Sequence, residues 1–198
     1  MDRQRGARPR LVRDRRAGRC GLGSAGDRHH VGQGPLGGDL IGPNPTDRGK
    51  RGTKKSILVD AQGGPLAAVL AAANTNDHRL IAATLDAIVP RRPAAAAPPE
   101  LYANRGYDHP ECDAAAAARG YVTRIARKGG GWVRADAPPP PVPPQYPRSR
   151  WIVERTLAWL SKCRTLLVRY ENKAANHLGF IKLACILLWY RRIRRQSG

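Results

Sequence analysis

The sequence predicts an α/β fold, a mixed sheet flanked by helices with further helices at the C-terminus, and three observations predict it. Lys54 to Asp60 (KKSILVD) and Leu66 to Ala72 are strand-like runs joined by AQGGP, a tight-turn sequence, so they form a hairpin. Segments of helical periodicity then alternate with short strand-like runs. Two longer helical segments close the chain after a proline tract.

In chain order, residues 1–22 carry 8 Arg and 2 Asp with Gly and Pro between them, which predicts a disordered basic arm. Cys20 to Gly26 (CGLGSAG) is Gly-rich and a weak strand former. After the hairpin, Asn76 or Asp77 caps a helix over His78 to Val89, with Leu80, Ile81, Leu85 and Ile88 at helical spacing and Pro90 as its stop. A Pro/Ala/Arg linker (90–99) leads to a short strand, Leu101 to Ala103. Pro110 and Glu111 open another helix, with Gly120 as its C-terminal signal, and Tyr121 to Ala126 (YVTRIA) is the next strand. Residues 127–148 hold GGG and the proline tract and read as a linker. Helices follow over Ser149 to about Lys162 and Ala174 to about Arg195. One more strand before residue 54 would complete a three-strand meander followed by alternating α and β elements, the order of a ribonuclease-H-like fold. The expected organisation is an arm (1–22), one core domain (23–170) and a C-terminal helix (171–198) packed on it.

The charge points to the partner. The chain has 35 Lys and Arg against 15 Asp and Glu, a formal net charge of +20, and a pI of about 11.1. Half of that excess lies in residues 148–198, where 12 basic residues face 2 acidic ones among Trp151, Trp159, Tyr170, Trp189 and Tyr190. A folded basic helical surface suits a phosphate backbone. The four cysteines, Cys20, Cys112, Cys163 and Cys185, show no CxxC spacing, which argues against a zinc site and against a disulfide framework and fits a reducing cytoplasm. Phe180 to Tyr190 is apolar but too short to span a bilayer, and the Arg-rich start lacks the apolar region of a secretory signal.

Within RSRWIVERTLAWL (Arg148 to Leu160), Glu154 is the one acid between Asp136 and Glu171. At 3.6 residues per turn Trp151 and Leu157 can face a core, while Arg150 and Glu154 share a face. A surface ion pair with Arg150 or Arg155 is the plain reading of such a Glu, and a placed catalytic carboxylate the sharper one. Trp151 and Trp159 read as core residues before base-stacking platforms. His29 and His30 are a weak candidate metal pair.

Three segments carry a resemblance. Gly37 to Asp77 (GGDLIGPNPTDRGKRGTKKSILVDAQGGPLAAVLAAANTND), Leu101 to His109 (LYANRGYDH) and Arg150 to Leu160 (RWIVERTLAWL), continued by Arg169 to Ile193, resemble in order and wording the DDE transposases of the bacterial insertion-sequence-five family. The resemblance implies DNA cleavage and strand transfer at a carboxylate site holding two Mg²⁺ or Mn²⁺ ions. It implies double-stranded DNA as partner, both element ends and target, a nucleoid-associated location, and room for a homo-oligomer. Residue by residue, Glu154 matches the family's terminal Glu and Arg150 the Arg one turn before it. The second carboxylate falls at Asn104, where the family pattern Y-A-D-x-G-Y-D is broken, and Asp108 is a poor substitute past Gly106. The first falls at Asp27, in a D-x-x-H-V setting with His30 and Val31; Asp60, at the hairpin turn, is the rival. Arg150, Arg155, Lys162, Arg164 and Arg169 would neutralise phosphates around the cut. The family's N-terminal DNA-binding segment has no match in residues 1–22.

Overall fold

The computed structural model describes residues 19–24, 32–88, 98–125 and 146–197, with the backbone alone at 24, 32–33 and 146–150. A seven-stranded mixed sheet forms its centre. The strands are β1 (Arg19–Ser24), β2 (Gly32–Gln33), β3 (Gly42–Pro43), β4 (Arg51–Asp60), β5 (Pro65–Ala72), β6 (Glu100–Ala103) and β7 (Val122–Ile125). β4 pairs antiparallel with both β5 and β1, β1 runs parallel to β6, and β6 parallel to β7. The main strands therefore lie in the order β5, β4, β1, β6, β7, with β2 and β3 on the first residues of β4. Helices α1 (Ile81–Asp86), α2 (Pro110–Ala117), α3 (Tyr146–Ser161) and α4 (Ala174–Gln196) flank it, a ribonuclease-H-like architecture.

β4 explains the two-layer cover. It is buried from Gly52 to Val59, polar Thr53, Lys54, Lys55 and Ser56 included, and its side chains alternate between two cores. Leu58 joins Leu22, Ile81, Leu85, Leu101, Cys112 and Ile125 under α1 and α2. Ile57 and Val59 join Val153, Leu157, Leu160 and Ile181 under α3 and α4. Lys54 and Lys55 are buried on opposite faces, each with a partner: Lys54 Nζ donates to Thr75 O and Asp77 Oδ1, and Lys55 Nζ to Leu166 O at 2.8 Å.

The missing strand of the meander is β1, inside the segment expected to be part of an arm and a poor strand. Propensity loses here to packing. A Cβ on Gly23 would collide with Val153 Cγ1 and lie 3.6 Å from Leu157 Cδ1, so glycine is what lets α3 lie against the strand. The rest of the expected arm, residues 1–18, lies outside the described residues, as do most of the two expected linkers.

Other differences are local. The expected helix from His78 starts as a single 3-10 turn, Asp77–Leu80, and becomes α-helical only over α1, because the Asp77 carboxylate is held by Lys54 and does not cap. Its apolar face is as expected: Leu80, Ile81 and Leu85 are buried. α2 begins with Pro110 at its first turn, and Gly120 adopts φ +72° beyond its end. α3 begins at Tyr146, inside the expected linker. Among the described residues no helix is long and apolar enough to cross a membrane.

Candidate active site and basic surface

An open cleft of about 890 Å³ lies between the ends of β1 and β6 on one side and α3 on the other. Asn104 and Glu154, far apart in the sequence, both line it, together with Asp77, Gly106, Trp151 and Arg155. Topology brings them there. β6 runs parallel to β1, so its last residue delivers Asn104 to the edge of the sheet where α3 crosses. On α3, Val153, Leu157 and Leu160 are buried against the sheet, which turns Glu154 and Arg155 outward. Trp151, expected in the core, is instead 55% exposed because it falls outside that buried stripe, and the Arg155 guanidinium lies 4.9 Å from its ring centroid.

Asn104 has a structural task in the cleft. It precedes the 3-10 turn Arg105–Tyr107 as its N-cap, and its Oδ1 accepts from Gly106 N at 2.9 Å. A side chain at Gly106 would start 2.8 Å from Asp77 Oδ2 and 3.0 Å from Asn104 Oδ1, so the Asp77 carboxylate and the Asn104 amide flank this glycine together. Asp77 was expected only as a helix cap; its place in the cleft comes from the Lys54 ion pair, for which sequence gives no spacing signal. Its Oδ1 is 2.8 Å from Lys54 Nζ, which balances its charge locally.

The other candidates lie elsewhere. Asp60 stays in the hairpin turn: Oδ1 accepts from Gln62 N and Gly64 N, and Oδ2 from Arg192 Nη1 at 2.8 Å, which ties α4 to the turn. Asp108 does not line the cleft. Asp27, His29 and His30 are outside the described residues, as is the side chain of Arg150.

The described donors do not fit a pair of divalent cations. Such a pair draws its ligand charge from carboxylates. Among the described residues lining the cleft the acids are Asp77, already paired with Lys54, and Glu154, while Asn104 is neutral and its carbonyl oxygen serves the backbone. A potential metal-coordinating cluster exists outside the cleft lining: one ligand atom each of His78, His109 and Glu111 lie within 4.8 Å of one another.

Of the basic residues expected at DNA, Arg155, Lys162 and Arg164 are exposed. Arg169 is not: it is fully buried and donates to Asp39 O (2.6 Å), Thr53 Oγ1 (2.8 Å), Glu171 O and Asn172 O. A guanidinium with these partners cannot reach a phosphate, and its role is to fasten the chain before α4 to the start of β4. Two further buried groups have displaced protonation. Burial pushes the Lys55 ammonium down from 10.5 to about 8, against a smaller opposing effect of Cys163. Burial, and then Cys163, push the Cys185 thiol up from 9.0 to about 11.

Comparison with known sequences gives the family. The family model for the transposase DDE domain matches residues 27–189, so the chain belongs to the DDE transposases, with the relationship to the insertion-sequence-four and -five groups that its motifs indicate. It is 39% identical over 162 residues to a putative transposase for insertion sequence element IS402 from Burkholderia cepacia, a match covering 78% of this chain and 70% of that protein. No solved structure matches it.

Proposed function

We propose that this chain is a transposase-family protein that binds double-stranded DNA through its basic C-terminal surface but has lost the strand-cleavage activity of its family. The observation that carries the reading is Asn104: in the cleft it shares with Glu154, an amide stands where the family motif has a carboxylate. The family reaction cleaves a phosphodiester and directs the freed 3′-hydroxyl at target DNA, using two metal ions held by three carboxylates. Asp27, Asn104 and Glu154 would supply two carboxylates and an amide, too little charge for that pair.

DNA binding rests on different residues. Arg155, Lys162 and Arg164 are exposed beside or beyond the cleft, and the last helix adds Arg191, Arg194 and Arg195. Such contacts neutralise phosphates without reading bases, so binding is largely sequence-independent and falls steeply with salt, by about 0.9 in log–log slope per phosphate neutralised. An affinity that stays flat between low and moderate salt removes this account of the surface.

Cleavage is tested with Mg²⁺ or Mn²⁺ on DNA carrying the element's ends, using the native chain, Asn104→Asp and Glu154→Gln. No cleavage is expected from the native chain. Cleavage by the native chain that Glu154→Gln abolishes would show that the site works with Asn104, and the reading would be given up.

A further inference from the structure

We propose that His78, His109 and Glu111 form a binding site for a borderline transition metal of the Zn²⁺ class, separate from the cleft, that clasps the 3-10 turn after β5 to the first turn of α2. The three offer two imidazoles and one carboxylate, with a ligand atom of each within 4.8 Å of the others. That donor set suits Zn²⁺, Co²⁺ or Ni²⁺, whereas Mg²⁺ prefers oxygen ligands in a near-ideal octahedron. The site would stand apart from the cleft in residues and in metal preference.

The apo geometry is close to what a metal needs. Zn–N bonds of 2.0–2.1 Å in a tetrahedron place donors about 3.4 Å apart, so these atoms have at most about 1.4 Å to travel. His109 Nδ1 is already 3.8 Å from Glu111 Oε2. Of the side chains that would move, His109 is 43% exposed and Glu111 75%. One observation on His109 points to a ligand. Its Nδ1 is shielded from solvent and has no hydrogen-bond partner among the described residues, an arrangement that costs free energy unless something fills it. Its ring stacks on His78, centroids 4.7 Å apart and planes inclined by 12°, which keeps the two imidazoles adjacent, and one ring has to turn out of the stack for both lone pairs to meet at a metal.

The backbone fixes the frame. His109 is the residue before α2 and Glu111 lies in that helix's first turn. Cys112 Sγ donates to His78 O at 3.6 Å, which ties the 3-10 turn to α2 independently of the three side chains. His78 follows Asp77, and the Asn104-capped turn ends two residues before His109. A bound metal would therefore brace the wall of the cleft that carries Asp77 and Asn104, without touching the cleft itself.

The test is Zn²⁺ binding to the full chain by competition with a chromophoric chelator, with Co²⁺ absorption as a report on geometry. One equivalent is expected, with intense visible Co²⁺ bands of a tetrahedral site. His78→Ala, His109→Ala and Glu111→Gln should each weaken binding by more than about tenfold, since even groups that only orient ligands are worth that much. Glu154→Gln and the double variant His29→Ala/His30→Ala should keep the native stoichiometry. Glu111→Gln alters an exposed side chain, so its result stands even if a histidine variant misfolds. Absence of binding, or binding that survives Glu111→Gln and His109→Ala, or that is lost with His29 and His30, would overturn the proposal.

Discussion

The two walls of the cleft differ in what their polar residues do for the fold. On the α3 wall, Glu154 projects outward from a helix held by Val153, Leu157 and Leu160. On the β6 wall, Asn104 caps the turn that follows the strand through its Oδ1. Asp would cap the same turn with the same atom, since Asn and Asp are near-equal caps. The local fold reads the oxygen and the chemistry reads the charge. On the proposed reading, an Asp to Asn exchange at this position keeps the cap while removing a carboxylate's charge.

The same separation of structural from chemical roles can be pressed at other positions. The largest effect is expected at Arg169. Arg169→Met removes the donor from the oxygens of Asp39, Thr53 and Glu171 and leaves Asn172 O with the Asp39 N–H alone, and should cost ~3–5 kcal/mol in denaturant unfolding. Where that variant is folded, the salt slope of DNA binding should match the native one, while Lys162→Gln or Arg164→Gln should lower the slope by about 0.9 with little change in stability. A reduced slope for Arg169→Met would put its charge back on the DNA surface.

Gly23 tests how the two walls are brought together. Gly23→Val drives a side chain into Val153 on α3 and should cost about 3 kcal/mol, at the upper end of overpacking effects. A neutral result would mean that β1 and α3 do not lie this close.

Lys55 and Cys185 give a pH signature for the α3 and α4 side of the sheet. The folded pKa of Lys55 is about 8 against 10.5 unfolded, so between those values the unfolded chain binds more protons and stability rises with pH. Cys185 works the other way: the folded thiol keeps its proton up to about 11, against 9.0 unfolded, so stability falls with pH from 9 to 11. Stability should rise from pH 8 to 9, by up to about 1.4 kcal/mol per unit, and then level off. Lys55→Met should remove the rise and leave only the fall above pH 9. A native chain with flat stability from pH 8 to 9 contradicts the burial of a titrating Lys55.

The smallest effect concerns the cap. Asn104→Ala should cost about 1 kcal/mol, the usual worth of an N-cap, and a loss below a few tenths would deny Asn104 its structural task.

Much of the fold was legible because its signals are local. The β4–β5 turn, the Pro110 and Gly120 limits of α2 and the apolar face of α1 are written in short stretches of sequence. β1 was not, because its glycines lower strand propensity, and Gly23 is there for the sake of a helix that arrives more than a hundred residues later. The same holds for Arg169, a surface cation by composition that the fold buries, and for Trp151, whose exposure depends on which stripe of α3 meets the sheet. That Asn104 and Glu154 would come together was readable from motif wording, and both line one cleft. Asp77 and the His78, His109, Glu111 group were not, since their partners come from separate segments with no fixed spacing.

The central claim is that Asn104 satisfies the fold and fails the charge, and Mg²⁺ titration of the native chain beside Asn104→Asp tests it most directly. Mg²⁺ is the choice because an imidazole-rich group binds it poorly. The account predicts melting temperatures in EDTA within about 2 °C of each other, as equal caps require, and Mg²⁺ affinity at least about tenfold higher for Asn104→Asp, as an added ligand charge requires. Equal Mg²⁺ affinity in the two chains, with the native site binding as tightly as the variant, would contradict it.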